Sequence, residues 1–150
     1  MYERVVLPLD GSRLAEGVFE HLDELVSPDA LLYPTIVIEP VVFVGLGGHA
    51  IWDEGTEQMY RAEAFTYLRK AMEDNGFGSA RFRCVVKLHV TPAKAIVETA
   101  IEKRADLIAM TSHGRTGLSR LVLGSVAWAV LRLSPVTTRV FSAKKLALAS

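Results

Sequence analysis

Hydrophobic runs and amphipathic stretches alternate along the chain. The runs at residues 5–9 and 107–110 are short and almost entirely apolar, which predicts strands that are buried on both faces. Between such runs, apolar residues recur three or four positions apart, the spacing of a helix with one buried face. The predicted order is β-α-β-α-β-α-β-α-β. Because helices separate the strands, we expect a parallel α/β sheet that is covered on both faces.

Turn and cap signals set the bounds of these elements. Ser12 is a candidate N-cap for the first helix, and Thr91 followed by Pro92 predicts the start of the third. Residues 41–55 are predicted to be a loop, long for a compact domain, and residues 144–150 a loose tail. Within a single domain of residues 1–150, we expect strands at 5–9, 31–38, 82–90, 107–110 and 136–142, and helices at 14–26, 56–75, 92–101 and 121–133.

Composition narrows the class of protein. Of 150 residues, 17 are Lys or Arg and 17 are Asp or Glu, so the formal net charge is zero. A general nucleic-acid binder would carry a basic excess, because neutralised phosphates supply most of its affinity. With Cys84 as its single cysteine, the chain has no internal disulfide and no cysteine-rich zinc site. No apolar run is long enough for a membrane span, and the N-terminus lacks a signal-peptide layout, so we expect a soluble cytoplasmic protein.

Candidate ligand chemistry follows two of the predicted strands. Asp10-Gly11-Ser12 comes after the first, and the segment at residues 111–117 comes after the fourth, with Gly124-Ser125 further on. Glycines let backbone N–H groups approach an anion, a helix start adds partial positive charge, and Arg115 adds a full one. Phosphate suits such a set, although the glycines could also serve only to shape a turn. The spacing is neither a P-loop nor a Rossmann fingerprint.

Two segments together resemble the universal stress protein family. They are Pro8-Leu9-Asp10-Gly11-Ser12 and the run at residues 112–127, SHGRTGLSRLVLGSVA, and the order of elements fits over residues 3–142. Nucleotide-binding members of that family carry Gly, two residues, Gly, nine residues, then Gly-Ser or Gly-Thr. Gly114, Gly124 and Ser125 match this pattern, whereas Thr111 stands where the family has its first glycine.

The resemblance implies a three-layer α/β/α domain of the adenine nucleotide alpha hydrolase-like type. Its open sheet would have five parallel strands in the order 3-2-1-4-5, and a homodimer would form through the last strand, residues 136–142. The ligand would be ATP or AMP, with Mg²⁺ accompanying a triphosphate. Asp10 would form a hydrogen bond to adenine or ribose, and the adenine slot would be lined by Pro8, Val37 and Met110. The phosphates would be held by Gly114, Gly124, Ser125 and Val126. The remaining residues expected to bind the nucleotide are Leu9, Thr111, His113 and Arg115.

The leading hypothesis is a regulatory protein of the stress response whose nucleotide occupancy changes its effect on a protein partner. No carboxylate stands in an evident position to orient an attacking water, so any ATP hydrolysis should be slow. The alternatives are a dimerisation module that binds no nucleotide, which Thr111 favours, and a nucleotide hydrolase. Single residues also keep second interpretations: Asp10 as a helix cap, Cys84 as a buried thiol, and Trp128 as a core or interface residue.

Overall fold

The computed structural model describes residues 1–40, 53–112 and 123–142. Five parallel strands form its sheet, in the order 3-2-1-4-5 when they are numbered along the chain, with helices on both faces. This confirms the predicted α/β class and the strand order 3-2-1-4-5. The strands are β1, Tyr2–Pro8; β2, Val26–Ile38; β3, Val85–Leu88; β4, Leu107–Thr111; and β5, Thr138–Phe141.

The strand order reverses at β1, which lies between β2 and β4. Val5 pairs with Leu107 and Val6 with Ile108, so the carboxyl ends of β1 and β4 lie side by side. The β1–β2 ladder continues past Pro8, since the N–H of Leu9 donates to the carbonyl of Thr35 at 2.9 Å. Ligands of open parallel sheets bind outside the carboxyl ends of strands at such a reversal.

The first predicted helix, at 14–26, is wrong as one continuous element. The chain forms α1 (Arg13–Glu16), a 3₁₀ turn (Gly17–His21) and α2 (Leu22–Leu25) instead. Glycine is a poor helix former, and the break falls at Gly17. The 3₁₀ turn and α2 nevertheless bury Val18, Leu22 and Leu25, so the apolar stripe is used even though the helix is interrupted.

The second strand starts earlier than the sequence suggested. Ser27, Pro28 and Asp29 lie between the predicted helix at 14–26 and the predicted strand at 31–38, yet all three belong to β2. The register with β1 shifts here, from Tyr2 opposite Val26 to Arg4 opposite Leu31. Such an irregularity accommodates a proline that has no N–H to give to the ladder.

The remaining helices agree with the predicted pattern apart from their ends. They are α3, Glu54–Asp74; α4, Pro92–Glu102; and α5, Ser125–Leu133. A short 3₁₀ turn at Ser79–Arg81 was not predicted. The helix α3 begins earlier than predicted because Asp53 caps it, its carboxylate accepting from the N–H of Thr56 at 2.7 Å. Strand β3 is shorter than predicted, because Phe82 makes only an isolated bridge to Leu32.

The two faces of the sheet bury separate cores. One lies under α1, α2 and α3 and contains Leu7 and Ala109; the other lies under α4 and α5 and contains Val6 and Met110. Successive strand residues point to opposite faces, so this assignment fixes the face of every residue near the strand ends. None of the described helices is both long and apolar enough to cross a membrane.

Candidate functional site

The turn after β1 presents a carboxylate at the edge of the sheet that is formed by the carboxyl ends of its strands. Asp10 is exposed, and its Oδ1 accepts from the N–H of Ser12 at 2.9 Å. Ser12 in turn is the N-cap of α1, its Oγ accepting from the N–H of Ala15 at 3.1 Å. Gly11 has a φ of 85°, a conformation that favours glycine. The helix cap is therefore Ser12, and the Asp10 carboxylate is oriented by the turn.

The three residues expected to line an adenine slot share one face of the sheet. Val37 and Met110 pack with the core under α4 and α5, which also contains Val6. Pro8 follows Val6 by two positions and therefore points to the same face. Met110 is 6% exposed, whereas Val37 is half-buried. Together they place apolar surface at the carboxyl ends of β2, β1 and β4. Leu9 points to the opposite face, where it belongs to the core under α1 to α3.

The ends of the predicted phosphate loop meet beside β4. The N–H of Gly124 donates to the carbonyl of Ser112 at 2.8 Å, and Gly124 precedes the first residue of α5, Ser125. Ser125 is exposed and Val126 half-buried in the first turn of this helix. The first N–H groups of a helix have no partner within it, and Gly124 has no side chain to cap them. His113, Gly114 and Arg115 lie outside the described residues, as does most of the predicted 41–55 loop.

Thr111 turns its side chain away from the face of the sheet that carries Pro8, Val37 and Met110, the expected adenine face. Its Oγ1 donates to the carbonyl of Leu14 in α1 at 3.0 Å, and the residue is 7% exposed. Its Cγ2 lies near Gly17, where an added Cβ would meet it at 3.5 Å. The extra atoms that threonine brings in place of glycine are thus packed against α1.

A second polar contact beside the turn joins two residues that no local sequence pattern connects. The Tyr67 hydroxyl of α3 donates to Glu16 Oε1 at 2.6 Å, across a separation of 51 positions. Burial raises the pKa of Tyr67 above its ordinary value, the hydrogen bond to Glu16 and the charges of Glu16 and Asp10 raise it further, and the N–H of Gly11 opposes them. The phenol therefore stays neutral and acts as a donor.

Two other expectations concern Cys84 and Trp128. Cys84 is half-buried, and burial raises the pKa of its thiol, which disfavours the reactive thiolate. Trp128 is 55% exposed, so it is not a core residue of this chain. Among residues 1–40, 53–112 and 123–142, no group of His, Cys, Asp or Glu side chains is placed to hold a metal ion.

Known proteins share this architecture and part of its sequence. The chain is 34% identical over 140 residues to universal stress protein MJ0531 of Methanocaldococcus jannaschii, covering 88% of this chain and 77% of that protein. The solved structure of protein MJ0577 superposes with a TM-score of 0.78 at 24% identity, over 96% of this chain and 98% of the other.

Two further solved structures were determined with adenine nucleotides. A universal stress protein in complex with cAMP superposes with a TM-score of 0.61 at 22% identity, over 95% of this chain and 98% of the other. A universal stress protein from Archaeoglobus fulgidus in complex with dAMP gives a TM-score of 0.56 at 17% identity, over 95% and 98% of the two chains. The model of the universal stress protein family itself matches residues 1–141, and the chain belongs to that family.

Proposed function

We propose that the chain binds an adenine nucleotide, ATP or AMP, at the carboxyl ends of β2, β1 and β4, and that occupancy of this site regulates a protein partner. The observation that carries the proposal is a juxtaposition at the strand reversal. The Asp10 turn, an apolar face and the start of α5 all lie at this one edge of the sheet. Family members with bound cAMP and dAMP support the choice of an adenine nucleotide.

The base and ribose have matching partners on the β1 side. An adenine ring is flat and apolar on its faces, which suits a slot formed by Pro8, Val37 and Met110 on one face of the sheet. The Asp10 carboxylate is exposed and held by the Ser12 N–H, so it can accept from a ribose hydroxyl or the adenine amino group. It could also accept from a water bound to Mg²⁺ when a triphosphate is the ligand.

The phosphates have matching partners on the α5 side. The start of α5 offers backbone N–H groups with a favourable dipole, and the exposed Ser125 adds a hydroxyl donor. Gly114, His113 and Arg115 are proposed as further contacts from the phosphate loop. These groups bind anions without supplying a base for an attacking water, so we expect hydrolysis below the ~1 s⁻¹ of slow enzymes.

The competing proposal is a module that binds no nucleotide. Its main support is Thr111 at a position where binding members have glycine. The contact of Thr111 with the Leu14 carbonyl weakens that support, because the side chain occupies the α1 side of the sheet and not the adenine face. In either case, we propose that two copies pair through β5, the edge strand of the sheet.

The direct test identifies what the protein carries. Protein purified without added nucleotide is denatured, released molecules are identified by chromatography and mass spectrometry, and the emptied protein is titrated with ATP and AMP by calorimetry. We expect bound adenine nucleotide or micromolar affinity. An emptied protein that ignores both ligands would favour the dimerisation module, and phosphate release faster than about 1 s⁻¹ would favour the hydrolase.

Two substitutions locate the phosphate end. Gly124→Val places a branched side chain at the start of α5, where a phosphate would lie, and should abolish ATP binding while the circular dichroism spectrum stays that of the folded protein. Ser125→Ala should weaken ATP binding by roughly 0.5–1.5 kcal/mol, the worth of one hydrogen bond. Unchanged ATP affinity in Gly124→Val would remove the phosphate-loop assignment.

A further inference from the structure

The helix α1 is too short to hold its own position. It has four residues, Arg13–Glu16, and is followed at once by a 3₁₀ turn. A helix of one turn fixes several backbone dihedrals for very few hydrogen bonds, so its placement depends on outside contacts. The position of α1 matters because Ser12, its N-cap, also orients the Asp10 carboxylate.

One outside contact comes from the sheet. The Thr111 hydroxyl at the end of β4 donates to the Leu14 carbonyl, and α1 packs against β4. Thr111 is almost fully buried, and its hydrogen bond to Leu14 is partly buried. Loss of the hydroxyl alone would leave β4 intact, because the backbone partners of the strand are separate from it.

A second outside contact comes from α3. The Tyr67 hydroxyl donates to Glu16 Oε1 at 2.6 Å. Tyr67 thus contacts Glu16, the last residue of α1. Leu14 and Glu16 are two positions apart, so the short helix is held from β4 at one residue and from α3 at the other.

We propose that Thr111 and Tyr67 are positioning residues that clamp α1 and so preset the Asp10 carboxylate for the base and ribose of the bound nucleotide. This inference rests on the proposed function of the same site. It gives Thr111 a task that glycine cannot perform, since glycine has no hydroxyl. The clamp acts on the adenosine half of the ligand, whereas Ser125 acts on the phosphate half.

The clamp is tested by measuring the affinities for adenosine and for ATP separately. Tyr67→Phe and Thr111→Val each remove one hydroxyl with little change of shape, and calorimetry at 25 °C gives both affinities. We expect each variant to lose about three- to tenfold in affinity for adenosine and for ATP alike, the worth of one hydrogen bond. Ser125→Ala should lose affinity for ATP and keep that for adenosine.

The chain offers a matched control for each substitution. Tyr33→Phe removes a phenol hydroxyl that bonds to Arg4 near the start of β1, and Thr99→Val removes a buried hydroxyl that donates to Ala95 within α4. Both should keep the wild-type affinities within twofold even if they lower the melting temperature. Thr111→Ser keeps the hydroxyl and should restore binding, which separates the clamp from packing.

Hydrogen exchange provides a readout that needs no ligand. Tyr67→Phe should raise the exchange rates of amides at residues 11–16 and leave those of β1 and β4 unchanged. Clamp variants that keep the adenosine affinity, or that lose only ATP, would overturn the inference, as would unaltered exchange at residues 11–16. A wild-type protein that binds neither adenosine nor ATP would instead contradict the proposed function. It would also contradict the role of the clamp in binding.

Discussion

Arg104 shows how one residue can carry backbone strain outside the site. It follows α4 with a φ of 51°, and its N–H donates to the Ile101 carbonyl at 3.1 Å. The next N–H, of Ala105, reaches back to Ala100 at 2.8 Å. This pair of bonds is the Schellman ending of a helix, in which glycine is the usual residue at the left-handed position.

Arg104→Gly should therefore stabilise the protein. A left-handed conformation costs an L-residue about 1–2 kcal/mol, and the greater freedom of glycine in the unfolded chain offsets part of the relief. We expect a gain of roughly 0.5–1 kcal/mol in the free energy of unfolding, measured by urea denaturation. Arg104→Ala keeps the Cβ and should give no such gain; an equal gain in that variant would show that the arginine side chain, and not its backbone, is the cause.

Thr111 marks the limit of prediction at this scale. The sequence shows that a threonine stands in place of a glycine, and this invites the expectation that binding suffers. Alternation along β4 gives the face of its side chain once the strand is known. Its partner, the Leu14 carbonyl, lies 97 positions away, and no local pattern indicates that contact. No local pattern indicates the contact between Tyr67 and Glu16 either, because 51 positions separate the two residues.

At the scale of the element, the prediction was accurate for strands and helices whose own side chains determine their type and bounds. β4 is apolar on both faces and its bounds were found within one residue. The prediction of one continuous helix at 14–26 was wrong because the apolar stripe is compatible with two structures. One is a continuous helix, and the other is a 3₁₀ turn between two short helices. Which of these forms depends on packing against β4 and α3, and that information is not local.

The N-cap of α3 should make the free energy of unfolding depend on pH. Asp53 accepts from the Thr56 N–H, and hydrogen bonds from Thr56 hold the pKa of its carboxyl below the ordinary 3.8. A lowered folded-state pKa means that the charged form stabilises the fold above the ordinary pKa, and that this contribution disappears as pH falls through the folded value.

Asp53→Asn provides the comparison, because asparagine caps a helix as well as aspartate but carries no charge. The wild type should be more stable than Asp53→Asn at pH 7, and the difference should shrink as pH is lowered below about 4. Urea denaturation of both proteins between pH 3 and pH 7 measures this difference in the free energy of unfolding. Asp53→Ala, which has no capping side chain, should be less stable than either protein at pH 7. A difference that does not change with pH would show that the charge is not involved.

At the scale of the whole molecule, the alternation of helices and strands predicted the parallel sheet, but the strand order came only from the resemblance to the family. That order determines the site, because it brings the Asp10 turn and Gly124 to one edge from distant parts of the chain. It also leaves β5 at the border of the sheet. The carbonyl of Thr137 accepts from the N–H of Ile108 in β4, and the carbonyl of Phe141 accepts from the N–H of Ser112, the residue after β4.

Alternation along β5 therefore directs the N–H and C=O groups of residues 138 and 140 away from β4. Val140→Pro removes the outward N–H of residue 140, and its β4 ladder survives because prolines are tolerated on edge strands. If two copies pair through β5, the wild type should sediment as a dimer and Val140→Pro as a monomer. Val140→Ala loses packing but keeps the N–H, and it should remain a dimer. A Val140→Pro dimer, or a monomeric wild type, would show that this edge does not join two copies.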